Sequence, residues 1–179
     1  MKKARNTSNF PKILSKWENS MGQYVFGLVS AVFGIANGML LLLSFVERPA
    51  FGLIRNVNNP RVNDKNTHRI LEDIQRFISY RGPTIMAILV TTGFFLSLYQ
   101  CYLRKYDIFS LLNVGIIVLF LVFSVTFGRE VLRQASQVSF TGGIAPARAA
   151  LRKVILLHHV GWAFILVILV LQFSVTIPT

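Results

Sequence analysis

Residues 22–46 read GQYVFGLVSAVFGIANGMLLLLSFV, and none of them is charged. A helix of this length reaches about 37 Å at 1.5 Å per residue, more than the roughly 30 Å of a bilayer hydrocarbon core. Glu47 and Arg48 end the stretch. It is longer than the apolar part of a signal peptide, and no small-residue cleavage site follows it. We therefore expect a retained membrane-spanning helix.

Three more apolar blocks follow, and charged residues or prolines separate them. They cover residues of about 83–103, 109–128 and 154–175. Because hydrocarbon offers no hydrogen-bond partners, the backbone of each block must satisfy itself, and none shows the two-residue alternation of a barrel strand. Tyrosines near the predicted ends fit an interfacial belt. The predicted fold class is therefore an all-α integral membrane bundle of four transmembrane helices.

The first long connection contains a predicted amphipathic helix at residues of about 67–80. Its apolar side chains recur at helical spacing, while charged residues take the other positions. The apolar face comprises Ile70, Leu71, Ile74, Phe77 and Ile78. We expect this helix to lie in the membrane interface or to cover the end of the bundle. The chain is thus interpreted as a single four-helix domain at residues 22–175, with a basic N-terminal segment (1–21) and a short C-terminal tail (176–179).

The balance of charge indicates which partners to expect. The chain has 19 Lys and Arg against 7 acidic residues, a formal net charge of +12. These basic residues flank the apolar blocks, so we expect a lipid bilayer with anionic headgroups as the partner, and no nucleic acid. Association with other membrane subunits or with a second copy is left open. The single cysteine, Cys101, excludes an intramolecular disulfide and a cysteine metal cage.

The expected location is a bacterial inner (cytoplasmic) membrane, but the basic residues leave the orientation open. Twelve Lys and Arg lie on the side of the long connections and seven on the side of the termini, which favours cytoplasmic long connections. The basic N-terminus favours the opposite orientation, because the first helix often dominates.

An up-down arrangement of four spans brings several polar residues to one membrane face. The candidate polar cluster there consists of His158, His159, Glu130, Arg129, Glu47 and Arg48. Ionisable residues inside a membrane usually face the bundle interior and have partners. We therefore expect His158 or His159 to pair with Glu130 or Glu47 in a polar pocket. The alternative is a rim that binds lipid headgroups, and the catalytic residues, if any, are unknown.

No cofactor and no metal site are predicted. His158 and His159 are adjacent on one helix, so their side chains point about 100° apart and cannot clamp one metal between them. The third histidine, His68, lies in the amphipathic helix at the same membrane face. Haem or a metal held by His68 and His158 is left as an alternative.

Gly34 and Gly38 form a GxxxG motif inside the first span. The two glycines share one helix face and allow another helix to approach closely. We expect this face to pack against another helix of the same chain, with dimerisation as the alternative. Asn37, beside the motif, is a polar residue in the middle of the span and is expected to hydrogen-bond across helices.

Three segments carry a resemblance to known membrane proteins. The first span ends in SFVERPAF (44–51), the third in VTFGREVLRQ (125–134), and the fourth opens with LRKVILLHHVGW (151–162). This order resembles the four-helix membrane families related to anthrone-oxygenase-like proteins and to the copper-resistance-D type. The resemblance implies the four-helix topology. Copper-handling members would be expected to carry better-placed ligands than Met21, Met39 and Met86, so no functional residues are carried over.

Three functions are compatible with these features, and enzymatic activity is left open. The first is a small structural or accessory subunit of a membrane assembly, favoured because the spans are apolar and no soluble catalytic signature occurs. The second is a membrane oxidoreductase or oxygenase-like enzyme that uses the His/Glu/Arg cluster. The third is a transporter of a small solute or metal. Partner chains that co-purify would favour the first function, bound haem or metal the second, and a water-filled central cavity the third.

Overall fold

The computed structural model describes residues 10–139 and 143–175, and within them every regular element is a helix. The helices are α1 Phe10–Glu47, α2 Gly52–Arg55, α3 Asp64–Ser79, α4 Gly82–Leu103, α5 Ile108–Phe123, α6 Arg129–Ser136 and α7 Ile144–Val175. A 3₁₀ turn at Arg48–Ala50 follows α1, and a π-helical turn at Ser124–Gly128 joins α5 to α6.

Four stretches of helix are long and apolar enough to cross a membrane. They are Ser20–Ala50, Gly82–Leu103, Ile108–Ser136 and Ile144–Ser174. The predicted all-α fold with four transmembrane helices is therefore confirmed, and the chain is a multi-pass integral membrane protein.

The four spanning helices form a square bundle. Helix α1 packs against α4 and α7, and α5 packs against the same two helices, so α1 and α5 lie at opposite corners. The buried apolar side chains of this membrane core include Val29, Phe33, Ala36, Val90, Ile117, Phe120, Ile165 and Ile168. Helices α1 and α4 approach closely where the ring of Phe33 covers Gly93. A Cβ added to Gly93 would lie only 2.6 Å from Phe33 Cζ.

A second apolar core, which we call the cap, lies at the end of the bundle where the long connections meet. Helices α2, α3, α6 and the first half of α7 build it. Its buried side chains include Ala50, Leu53, Ile70, Leu71, Ile74, Ala135, Leu151 and Ile155. The predicted amphipathic helix is α3, which begins at Asp64 because Asn63 accepts a hydrogen bond from the Lys65 N–H at 2.8 Å. This helix was expected either in the membrane interface or over the end of the bundle, and in the structure α3 covers the end of the bundle.

The loop between α2 and α3 is tied to α7 by Arg148. Its guanidinium donates to the carbonyls of Val57, Asn59 and Val62 at 3.3, 3.1 and 2.7 Å, and to the Asp64 carboxylate at 2.5 Å. The side chain is only 11% exposed. A planar guanidinium with five donors can satisfy these acceptors together, whereas a lysine ammonium cannot do so in one plane. Arg148 thus fixes the position of the loop on α7.

At the other end of the bundle, Asp107 closes the hairpin between α4 and α5. Its carboxylate caps α5 by accepting from the Ser110 N–H at 3.2 Å and the Ser110 hydroxyl at 2.6 Å. Arg104 donates to the same carboxylate at 2.9 Å. Burial alone would raise the pKa of Asp107, but the hydrogen bonds from Ser110 and Arg104 lower it below its ordinary value. The charged residues thus hold a tight turn outside the spans.

The contact between Phe33 and Gly93 leads to a prediction about stability. Gly93→Ala should destabilise the bundle by about 1–3 kcal/mol, because the new methyl group meets a fully buried ring. Gly115→Ala is the matched control, since Gly115 is also in a spanning helix but has nothing within 4 Å of an added Cβ. We expect the control to keep or slightly raise stability through helix propensity. Unfolding by SDS titration in mixed micelles measures both, and equal effects would contradict the prediction.

Candidate functional site

A buried carboxylate and a buried histidine meet where the membrane core joins the cap. Glu47 is the last residue of α1 and is 0% exposed, and His158 on α7 is 8% exposed. His158 Nδ1 lies 2.5 Å from Glu47 Oε1. Along α7, Ile155 belongs to the cap and Ile165 to the membrane core. The pair therefore connects α1 with α7 at the boundary between the two cores.

The Glu47–His158 pair can hold one proton between its two members. An ionised carboxylate accepts from Nδ1–H, whether the ring is neutral or charged, and a protonated carboxyl group donates to Nδ1 instead. An isolated carboxylate at such a buried place would be strongly unfavourable, so the histidine makes its burial tolerable. Glu47 Oε2 is buried and has no hydrogen-bond partner among the described residues. The site thus retains one acceptor oxygen that its own side chains do not use.

The second acidic residue of the expected cluster, Glu130, is bound elsewhere. It accepts from Arg133 at 2.7 and 2.9 Å and from Gln134 at 2.7 Å. Gln134 in turn accepts from Lys153 Nζ at 2.8 Å. Glu130 is exposed, so this network lies on the surface of the cap. Of the four His–Glu pairings that the sequence leaves open, the structure places His158 and Glu47 in contact.

The remaining members of the expected cluster do not join the buried pair. His159 Nδ1 lies 2.8 Å from the carbonyl oxygen of Ile155, one turn back on its own helix. Its ring meets the ring of Phe51 edge to face, with centroids 5.0 Å apart. The side chains of Arg48 and Arg129 are exposed. Of the six residues of the expected cluster, Glu47 and His158 therefore form a buried pair and the other four lie outside it.

Metal ligands are not gathered at this end of the bundle. Among the described residues, no group of three or more His, Cys, Asp or Glu side chains is placed to hold a metal ion. His68 lies on α3 in the cap and is half-buried.

The glycine motif does not pack inside the chain, which corrects the expectation for Gly34 and Gly38. A Cβ added to either glycine would have nothing within 4 Å, and Gly34 is exposed. The face of α1 that packs inward carries large side chains instead, such as Phe33, and the glycines lie on the opposite side of the helix. Asn37 Oδ1 also departs from expectation, since it is buried without a hydrogen-bond partner among the described residues.

A second buried polar cluster, which the sequence analysis did not single out as a site, crosses the bundle near the α4–α5 hairpin. Gln172 Nε2 donates to Gln100 Oε1 at 2.9 Å, and Asn113 Nδ2 donates to Gln172 Oε1 at 2.8 Å. All three amides are buried. The sequence could have indicated this cluster, because Gln100, Asn113 and Gln172 are all uncharged amides within one or two turns of the end of a span. This amide chain joins α4, α5 and α7.

Comparisons with protein-family models, with curated proteins and with solved structures gave no match to this chain. The roles of individual residues therefore rest on the geometry described above, and the resemblance to the anthrone-oxygenase-like and copper-resistance-D families stays a hypothesis.

The buried pair leads to a second prediction about stability. Glu47→Ala and His158→Ala should each lower the free energy of unfolding by about 3 kcal/mol, because each leaves a buried polar partner unpaired. The double variant should lose less than the sum, with a coupling energy on the order of 1–3 kcal/mol. SDS titration of the four proteins measures the coupling.

The control for this experiment is the exposed pair formed by Glu130 and Arg133. The same set of alanine substitutions there should show only weak coupling, since solvent and long side chains weaken a surface ion pair. Additive effects at Glu47 and His158, no larger than those of the control pair, would show that the buried contact does not hold α1 to α7.

Proposed function

We propose that this protein is a structural or accessory subunit of a membrane assembly, and that the outer face of α1 binds a transmembrane helix of its partner. The observation that carries the proposal is a stripe of small residues on that face, Gly27, Ala31, Gly34 and Gly38. A bacterial cytoplasmic membrane is part of the same proposal, supported by helical rather than barrel spans.

The small-residue stripe of α1 is turned away from its own bundle. At 100° per residue, its four members fall within about 60° of one another, opposite the inward face that holds Val29, Phe33 and Ala36. Gly27, Ala31 and Gly34 are exposed, and Gly38 is half-buried. An added Cβ at any of the three glycines would meet nothing within 4 Å. The backbone of a second helix can therefore approach this face closely.

Close backbone approach matters in a membrane because lipid tails remove most of the hydrophobic gain from helix association. Van der Waals packing and short interhelical contacts then drive association, and small residues make both available. The stripe repeats a small residue every three or four positions over about 16 Å of helix. This length spans half of a hydrocarbon core of roughly 30 Å, enough for a helix–helix contact of several turns.

The buried polar side chains support a structural role in a second way. Glu47 is hydrogen-bonded to His158, and Gln172 is hydrogen-bonded to both Gln100 and Asn113. These contacts tie helices together inside the bundle. A catalytic group must instead meet a substrate within hydrogen-bond reach.

A membrane oxidoreductase or oxygenase-like enzyme is the second candidate, and one observation favours it. Glu47 Oε2 is a buried acceptor without a partner among the described residues, and buried unsatisfied groups in native proteins call for an explanation. A redox cofactor bound beside the pair would be visible as an absorbance band in the purified protein, and its loss in a Glu47→Gln variant would favour this candidate over the first.

The proposed function predicts that the α1 stripe forms the contact with the partner. A photo-crosslinking amino acid at position 31 should capture a defined partner chain in intact membranes. The same probe at position 119, on the exposed outer face of α5, should capture far less. The mass of the conjugate, compared with that of one chain, shows whether the partner is a second copy or another protein.

Substitution of the stripe provides the matched test. Gly34→Leu/Gly38→Leu should abolish the cross-link and reduce the assembly extracted in mild detergent to a single copy. Gly115→Leu should leave both unchanged, because Gly115 is exposed but has large neighbours such as Leu111 and Leu119 one turn away. A wild-type protein that is monomeric in membranes and uncross-linked at position 31 would contradict the proposal.

A further inference from the structure

A groove of about 350 Å³ lies where α7 enters the membrane. Its lining consists of Val57, Ala149, Arg152, Lys153 and Leu156. Four of these residues belong to α7 and follow one another at i, i+3, i+4 and i+7, so they share a single face of the helix. Val57, from the loop after α2, completes the lining, and its carbonyl accepts a hydrogen bond from Arg148. The volume is within the range of sites that bind small molecules.

The upper part of this α7 groove is positively charged. Arg152 and Lys153 are adjacent and exposed. Lys153 Nζ donates to Gln134 of α6, and this bond leaves two of the three ammonium N–H groups for a ligand. Glu130, the acidic residue of this surface network, is paired with Arg133. The two cations of the groove therefore remain in excess over nearby negative charge.

Directly below the cations, the same face of α7 becomes an exposed apolar stripe. It comprises Leu156, Val160, Ala163, Val167 and Val170. Their spacing of three or four residues keeps them in line with Ala149 along the helix. From Leu156 to Val170 the stripe extends about 21 Å, compared with roughly 15 Å for one leaflet of the hydrocarbon core. One surface thus presents two cations above an apolar track as long as a lipid tail region.

We propose that this groove is a binding site for an anionic phospholipid, with the phosphate on Arg152 and Lys153 and an acyl chain along the apolar stripe of α7. Basic pockets beside spanning helices bind anionic headgroups in this way. Free phosphate would use the cations but not the stripe, and an acidic protein segment would not match an apolar track buried in the bilayer. The order of charge and apolar surface along α7 is that of a phospholipid.

Lipid binding to the full chain is measured by native mass spectrometry. The delipidated protein in mild detergent is titrated separately with phosphatidylglycerol and phosphatidylcholine, and inorganic phosphate is then added as a competitor. We expect phosphatidylglycerol to bind with a Kd on the order of tenfold lower than that of phosphatidylcholine, as two basic residues near an anionic group allow. Inorganic phosphate should not displace it, because it cannot occupy the stripe.

Two variants distinguish lipid binding in the groove from attraction to the general positive charge of this membrane face. Arg152→Gln/Lys153→Gln should raise the Kd for phosphatidylglycerol on the order of tenfold. Ala149→Trp retains both cations but fills the groove, and it should raise the Kd as well. The control Arg61→Gln/Lys65→Gln removes the same charge from exposed positions of the same face. It should change the Kd by less than about twofold, since neither side chain lines the groove. An unchanged elution profile shows that each variant is folded.

Several results would overturn the assignment. Equal Kd values for the two lipids would remove the preference for an anionic headgroup. An equal loss in the control and in the Arg152/Lys153 variant would indicate diffuse attraction, and unchanged binding to Ala149→Trp would show that the groove is not occupied. Displacement by inorganic phosphate would assign the cations to free phosphate instead.

Discussion

Hydrocarbon cannot accept or donate hydrogen bonds, and this single constraint organises the chain. It forces the backbone of each span into a helix, because only a helix satisfies every N–H and C=O within one segment. It also favours hydrogen bonds between polar side chains inside the bundle. Glu47 meets His158 at one end, and Gln100, Gln172 and Asn113 meet at the other. The first contact joins α1 to α7 and the second joins α4, α5 and α7, so both help to fix how these helices are placed along one another.

The Glu47–His158 pair has a structural consequence beyond its own contact, since it lies between two separate apolar cores. The membrane core can pack in lipid as a bundle, whereas the cap must bury its side chains among α2, α3, α6 and α7. A buried hydrogen-bonded pair of this kind strongly penalises arrangements that separate its members, because each would be left buried without a partner. We infer that the pair specifies how the cap is positioned on the bundle.

The sequence predicts depth in the membrane better than it predicts rotation about a helix axis. Charges and tyrosines place the four apolar spans, the α3 helix and the face shared by Glu47 and His158 along the chain. The helices of the third and fourth spans nevertheless continue past the charges that flank the apolar blocks, to Ser136 and from Ile144. Rotation is different, because the lipid-facing and core-facing sides of a span are both apolar and hydrophobic periodicity does not separate them. For this reason Gly34 and Gly38 were expected to pack inside the chain, yet they lie on its outer surface. The partner of His158 could be narrowed to two glutamates but not chosen, since Glu47 and Glu130 lie at similar depth.

The same reasoning explains why two outward faces of the bundle suit different neighbours. The small-residue stripe of α1 leaves open space at Gly27, Gly34 and Gly38. A second helix can pack its backbone closely there over several turns, which a disordered acyl chain cannot match. The outer face of α7 carries mainly branched side chains, such as Leu156, Val160 and Val167, which keep another backbone at a distance but can contact a flexible chain. The cations above it add an attraction for phosphate that a helix in the bilayer core does not satisfy. Side-chain size and the position of charge along each helix, rather than hydrophobicity, therefore distinguish the surface proposed for a protein partner from the surface proposed for lipid.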